Sequence, residues 1–219
     1  MFKKLLIANR GEIACRIAST ARRMGIRTVA IYSDVDRDGL HVEACDEAVA
    51  IGGTSSADSY LEIDKVLSAA IESESDAIHP GYGFLSENPV FAKECAAAKI
   101  IFVGPPATAI EVMGSKSKAK KLMESAGVPL VPGYHGEEQE VSYLSQKANE
   151  IGFPVLVKAS AGGGGRGMRI VESLDDLETA VSSSKREAKA AFSDDHLMLE
   201  KFITEPRHIE VQICADKKG

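Results

Sequence analysis

The first 113 residues switch repeatedly between short apolar runs and longer stretches with apolar residues at helical spacing. Leu5 to Ala8, Thr28 to Tyr32, Ala48 to Ile51, Asp76 to His79 and Ile100 to Val103 are too short for helices and read as strands. Between them, Glu12 to Met24 puts Ile13, Ile17 and Met24 on one stripe and is stopped by Gly25. Ile63 to Glu72 and Pro89 to Ala98 read as further helices, the second with Asn88 as N-cap and Pro89 at its first position. Neighbouring parallel strands need a crossover between them, so this alternation implies a doubly wound parallel α/β sheet.

In such a sheet the ligand crevice lies beyond the carboxyl ends of the strands. The loops there are Asn9 to Glu12, Ser33-Asp34, His79 to Asn88 and Gly104-Pro105. The third carries His79, Tyr82 and two glycines, although by loop chemistry alone it reads as a well-turned connection.

The second half is of another kind. Residues 114–126 form a basic helix, stopped by Gly127, with Lys116 and Lys120 on one face. A lysine near a helix start opposes the helix dipole, which a nearby anion would relieve. Val128 to Gly133 contains Pro129 and Pro132 and reads as a linker, with a domain boundary near it. A helix over Val141 to Ile151 follows, then strands Pro154 to Val157 and Arg169 to Val171 flank four consecutive glycines, Gly162 to Gly165. Ser173 caps a helix from Leu174 onward, with Asp176 three residues on. Leu197 to Ile203 and His208 to Ile213 read as strands, the latter with apolar residues at alternate positions.

A glycine run between two strands is a hairpin loop able to present backbone N–H groups to an anion. Lys158, Arg166 and Arg169 add charge, so a polyphosphate is the natural guest. No Gly-Lys-Ser/Thr follows, and the run leads into a strand rather than a helix. Neither the P-loop nor the dinucleotide fingerprint therefore applies.

A net charge of −6 argues against a dedicated nucleic-acid binder, and no apolar run approaches a membrane span. Cys15, Cys45, Cys95 and Cys214 are scattered without a Cys-x-x-Cys, so neither a zinc site nor a disulfide framework is signalled, and a reducing cytoplasm fits.

Four motifs together resemble the N-terminal half of the biotin carboxylases, members of the ATP-grasp superfamily. They are Ile-Ala-Asn-Arg-Gly-Glu-Ile-Ala at 7–14, His-Pro-Gly-Tyr-Gly-Phe-Leu-Ser-Glu-Asn at 79–88, Lys-Ala-Ser-Ala-Gly-Gly-Gly-Gly-Arg-Gly-Met-Arg at 158–169, and Glu-Lys-Phe-Ile at 200–203 followed by Pro-Arg-His-Ile-Glu at 206–210. The resemblance implies a Rossmann-like N-terminal domain over 1–113, a basic helix and linker over 114–133, an α+β ATP-grasp lid over 134–204, and the first strand of a C-terminal lobe over 205–219. The rest of that lobe is expected to be missing, as in a truncated chain. Ala161 stands where many bacterial members carry another glycine, and the motif is more similar to acyl-CoA carboxylase α-subunits, including the propionyl-CoA type.

The implied activity uses ATP and bicarbonate, through carboxyphosphate, to carboxylate biotin on a carrier domain. By resemblance, Lys116 and Lys158 neutralise ATP phosphates. The backbone of Gly163, Gly164, Gly165, Arg166, Gly167 and Met168 covers them. Glu200 accepts from the adenine amino group, and Lys201 and Ile203 supply main-chain bonds. His208 lies near the ribose and phosphates, and Tyr82 faces the biotin pocket. The Mg2+ ligands, the bicarbonate-binding arginine and the general base are expected beyond Gly219, so the isolated chain is expected to be inactive. Implied partners are the biotin carrier domain, a carboxyltransferase subunit and a second copy through the N-terminal domain. A non-catalytic nucleotide-binding or assembly module, or another ATP-grasp ligase such as a carbamoyl-phosphate synthetase, remains open. A dehydrogenase is remote, because no Gly-x-Gly-x-x-Gly follows the first strand.

Overall fold

A computed structural model describes residues 2–160, 168–192, 194–213 and 215–216. The chain forms two compact units, Met1–Gly114 and Ser115–Gly219.

The first unit runs β1 (Lys4–Ile7), α1 (Gly11–Arg23), β2 (Arg27–Tyr32), α2 (Leu40–Ala44), β3 (Glu47–Ala50), α3 (Ile63–Glu72), β4 (Ala77–His79), α4 (Pro89–Ala97), β5 (Ile101–Phe102) and α5 (Ala107–Met113). All strand pairs are parallel, in the order β3-β2-β1-β4-β5. The sheet winds one way from β1 to β3 and the other way through β4 and β5, so the switch point falls between β1 and β4. Successive strand residues feed opposite cores. Leu6, Val29, Ile31 and Ile78 pack with Tyr60, Val66 and Phe91 on one side. Leu5, Ile7 and Ala77 pack with Ala14, Ile17, Ala18 and Ala21 of α1 on the other.

The start of α4 follows its sequence signal, since the Asn88 side chain accepts from the N–H groups of Val90 and Phe91 behind Pro89. Met24 departs from it. α1 ends at Arg23, and Met24 is a mostly exposed C-cap rather than part of the buried stripe. The 3-10 turn Asp34–Asp36 and helices α2 and α5 were not expected, because five to seven residues are too few to show a helical period.

The second unit runs α6 (Lys116–Ser125), β6 (Gly133–Tyr134), α7 (Val141–Ile151), β7 (Val155–Ala159), β8 (Arg169–Val171), α8 (Leu174–Phe192) and β9 (Leu197–Lys201). Its sheet is antiparallel, in the order β6-β9-β7-β8. Strands β7 and β8 are the two arms expected around the glycine run, whose residues 161–167 lie outside the described residues. Val155, Val157, Ala159, Leu197 and Leu199 turn to one face, against Leu144, Ala148, Leu177 and Val181 of α7 and α8. That leaves Leu156, Lys158, Met198 and Glu200 on the other face, because side chains alternate along a strand.

Two expectations are corrected here. The proline-containing stretch before Gly133 lies within the second unit and is no free linker: Pro132 accepts the Lys201 N–H at 2.8 Å, and Gly133 begins β6. His208 to Ile213 is not a strand. Its alternating pattern describes side chains only, and among the described residues no neighbouring strand pairs with its backbone. Ile209, Val211 and Ile213 stand 78%, 81% and 79% exposed.

Candidate functional site

On the open face of the second sheet, Lys158 pairs in register with Met198 and Leu156 with Glu200. Lys158 and Glu200 are therefore diagonal neighbours on one face. The Lys158 ammonium donates to Glu200 Oε2. From α6, Lys120 Nζ sits 2.6 Å from the other oxygen, Oε1. At that separation the contact is a charge-assisted hydrogen bond as well as an ion pair. Burial pushes the Glu200 carboxyl up, but Lys120 and Lys158 together outweigh it and hold the group below the ordinary glutamate range.

Lys116 lies one turn before Lys120 on α6 and belongs to the same cluster. Burial lowers its ammonium, nearby Lys158 lowers it further, and Glu200 opposes both. Ser115 caps α6, accepting from the Lys118 N–H at 3.4 Å. The Ser160 hydroxyl, at the foot of the glycine run, donates to Ser117 Oγ at 3.2 Å and ties α6 to β7. Across from Glu200 stands Gly133, where an added Cβ would meet the Leu199 carbonyl oxygen at 2.5 Å. The site thus excludes any side chain from β6 at that point.

Of the residues expected here, the structure brings Lys116, Lys158 and Glu200 together. The Lys201 side chain points elsewhere, donating to the carbonyls of Gly152 at 2.9 Å and Phe153 at 2.7 Å. Ile203 is half-exposed beyond the end of β9, and Met168 is half-exposed before β8. His208 is 82% exposed and bonds Glu210 Oε1 at 2.7 Å, and no contact joins it to the lysines among the described residues. Gly163, Gly164, Gly165, Arg166 and Gly167 lie outside the described residues. Arg169 is paired with Glu187 of α8. Lys120, Ser117 and Ser160 escaped the sequence reading as site residues. Only Lys120 had a signal, its four-residue spacing from Lys116.

The strand-end loop of the first unit is a separate constellation. Tyr82 is 60% exposed, and its hydroxyl donates to Glu12 Oε1 at 2.6 Å in the first turn of α1. Beneath it, buried Asn9 donates through Nδ2 to the carbonyls of Pro80 at 2.7 Å and Tyr82 at 2.8 Å. Gly81 has φ +66°, and a Cβ there would lie 2.9 Å from Asn9 Nδ2, so the loop needs glycine twice over. The Arg10 guanidinium lies over the stacked rings of Tyr60 and Phe84. Asp36 Oδ2 accepts from Arg10, Ser33 Oγ and the Tyr60 hydroxyl, each at 2.8 Å. Burial raises the Asp36 carboxyl, and these three donors more than reverse the effect. Burial pushes the Tyr60 hydroxyl up to about 12. It also holds His79 below the ordinary histidine value, so His79 is a neutral imidazole whose Nδ1 accepts the Gly81 N–H at 3.0 Å.

Three ammonium groups around one carboxylate leave a surplus of positive charge, with serine hydroxyls alongside. That donor set suits a polyanion and repels a divalent cation. Among the described residues, no group of three or more His, Cys, Asp or Glu could hold a metal ion, and no helix is long and apolar enough to cross a membrane.

Residues 1–110, half of the chain, match the family model for the biotin carboxylase N-terminal domain, and residues 115–219 match that for the carbamoyl-phosphate synthase L chain ATP-binding domain. The mitochondrial methylcrotonoyl-CoA carboxylase subunit alpha of Oryza sativa subsp. japonica is 55% identical over 217 residues, covering 99% of this chain and 29% of that protein. The propionyl-CoA carboxylase alpha chain of Ruegeria pomeroyi is 53% identical over 219 residues, covering 100% of this chain and 32% of that protein. The chain thus spans less than a third of these relatives' length. Among solved structures, a biotin carboxylase–β,γ-ATP complex from Campylobacter jejuni superposes with a TM-score of 0.91 at 47% identity, covering 94% of this chain and 46% of that one. The biotin carboxylase domain dimer of the Hydrogenobacter thermophilus 2-oxoglutarate carboxylase, with MgADP, ADP and bicarbonate, gives 0.87 at 46% identity, covering 93% and 45%. A parallel five-stranded sheet, a lysine-lined antiparallel sheet and these matches agree: the chain belongs to the biotin carboxylase family.

Proposed function

We propose that this chain provides the triphosphate-binding lysines of a biotin carboxylase within an acyl-CoA carboxylase α-subunit. The observation that carries this reading is the convergence of Lys116 and Lys158 on Glu200. In the proposed reaction a bicarbonate oxygen attacks the γ-phosphorus of ATP, and ADP leaves. The resulting carboxyphosphate gives up its carboxyl group to carrier-linked biotin, releasing phosphate. Phosphoryl transfer of this kind is accelerated by positioning and by neutralising charge on the phosphate oxygens. Lys116 and Lys158 are suited to that neutralisation, and Lys158 would exchange Glu200 for phosphate as the nucleotide enters.

Glu200 would accept from the adenine amino group. The Lys201 N–H is engaged by Pro132, so the carbonyl of Lys201 and the main chain of Ile203 are what that stretch has left to offer. The backbone of Gly163, Gly164, Gly165, Arg166, Gly167 and Met168 would close over the phosphates. His208 would approach the ribose, and Tyr82 would face biotin. The ATP-binding match is named for carbamoyl-phosphate synthase, but the first 110 residues and the relatives favour biotin carboxylation.

Mg2+ and bicarbonate enter the proposal through the Hydrogenobacter structure, which names MgADP and bicarbonate. The carrier domain, the carboxyltransferase subunit and a homodimer through the N-terminal domain are the proposed partners, and carboxylation is the work of the whole parent protein. Its compartment follows its source: the rice relative is mitochondrial, and a cytoplasmic protein is proposed for a bacterial source such as that of the Ruegeria chain.

Calorimetric titration with MgATP tests the reading. Replacing Lys158 or Lys116 by Ala is expected to weaken binding about tenfold or more, as loss of a charged hydrogen bond does. Unchanged affinity in both variants would overturn the phosphate assignment. Bicarbonate-dependent ATP hydrolysis by the 219 residues alone would contradict the assignment of turnover to the parent.

A further inference from the structure

We infer that Lys120 is the standing counter-ion of Glu200, keeping its carboxylate ionised to accept an amino group of the nucleotide base while Lys158 moves to the phosphates. The inference rests on the nucleotide reading above and adds a positioning residue to it.

Three observations carry it. Glu200 is only 8% exposed, so its charge depends on partners rather than water. Its Oε2 is bonded by Lys158, whereas its buried Oε1 is paired with Lys120 at 2.6 Å, so the two lysines hold different oxygens. A carboxylate oxygen has two lone-pair sites, so each oxygen can accept a further donor beside its lysine. Among the described residues, the charged groups facing Glu200 are Lys116 and Lys120 from α6 and Lys158 from β7; Gly133 of β6 contributes no charge.

A triphosphate brings several negative charges, and the Lys158 ammonium is drawn toward them. Were Lys158 the sole partner, Glu200 would be left as an uncompensated buried carboxylate and would take up a proton. A protonated carboxyl donates where the base amino group needs an acceptor. Lys120 removes that conflict, because it sits on the opposite oxygen. An ionised Glu200 favours a base carrying an exocyclic amino group and repels one carrying a carbonyl oxygen there, which distinguishes adenine from a 6-oxopurine.

The test uses the 219-residue chain. Binding of MgATP and of MgGTP is measured by calorimetry between about pH 5 and pH 8, and the Glu200 side-chain carboxyl is followed by carbon NMR from about pH 2.5 to pH 8, so that a midpoint below 4.5 is covered. The variants are Lys120→Met, Lys120→Arg and, as control, Lys118→Met, an exposed lysine of the same helix. Lys120→Met is expected to weaken MgATP about tenfold, raise the Glu200 titration midpoint and shrink the preference for ATP over GTP. Lys120→Arg is expected to restore all three, and Lys118→Met to change none. A Glu200 midpoint and an ATP preference both unmoved by Lys120→Met overturn the inference. If Lys158→Ala and Lys116→Ala both bind MgATP like the wild type, or the wild type does not bind, the nucleotide reading fails and takes this one with it. If Lys158→Ala loses binding and Lys120→Met does not, Lys120 alone is misassigned.

Discussion

Lys158 on β7 and Glu200 on β9 lie diagonally across one antiparallel pair, on the face turned away from the hydrophobic core, and the ammonium is bonded to the carboxylate. Neither would be tolerated alone at that depth: an unpaired buried charge either costs several kcal/mol or changes protonation state. Together with Lys116 and Lys120 they make a cationic cluster that holds itself together until a stronger anion arrives.

The first prediction concerns acid. The Glu200 carboxyl is held below its ordinary value of 4.5, so the folded protein binds fewer protons there than the unfolded chain. The ion pairs therefore contribute fully above about 4.5 and are lost as pH falls through the lower folded value. Glu200→Gln is expected to flatten the acid limb of stability against pH, measured by urea unfolding. Glu200→Ala should cost about 3 kcal/mol at neutral pH, because it strands two partly buried ammonium groups. Parallel acid limbs in wild type and Glu200→Gln would contradict the pairing.

A second pH effect belongs to the first unit. Burial holds both His79 and His41 below the ordinary histidine value of 6.5. The unfolded chain takes up protons that the folded unit resists, so stability is complete above 6.5 and erodes as pH falls below it. Thermal melts should show that erosion, reduced in His79→Gln and again in His41→Gln. A melting temperature independent of pH between about 5 and 7 would refute it.

Much of this architecture was legible in the residues. The parallel, doubly wound sheet was read from alternating periods, and Asn88-Pro89 starts α4 where capping chemistry puts it. Lys158, Glu200 and Lys116 were chosen by motif, and the fold brings them together. What escaped was decided by tertiary contact. Lys120 matters because α6 presents it to Glu200, which spacing alone cannot distinguish from a solvated face. Gly133 and Pro132 looked like a linker because β6 has two residues, too few to show a period. His208 to Ile213 had a strand's pattern without a strand's partner, and a pattern forms no ladder by itself.

Asn9 is expected to anchor the strand-end loop. Its side chain donates to two loop carbonyls, so Asn9→Ala should cost about 2 kcal/mol and expose both acceptors. Hydrogen exchange over residues 80–84 should accelerate with it. Protection equal to wild type would show that the Arg10, Tyr60 and Phe84 stack holds the loop unaided.

Gly133→Ala should break the pairing of β6 with β9. The new methyl meets the Leu199 backbone oxygen at 2.5 Å, and backbone cannot swing aside as a side chain can. A loss of about 1–3 kcal/mol in urea unfolding is expected. A fully stable variant would mean that β6 shifts freely.

The most direct measurement is nitrogen NMR of the lysine side chains during titration with MgATP. The Lys158 and Lys116 signals should move together and saturably, while Lys147, paired with Glu150 on the surface of α7, stays still. Lys158 and Lys116 signals that remain fixed, or that shift no more than Lys147, would contradict a phosphate site at these two lysines.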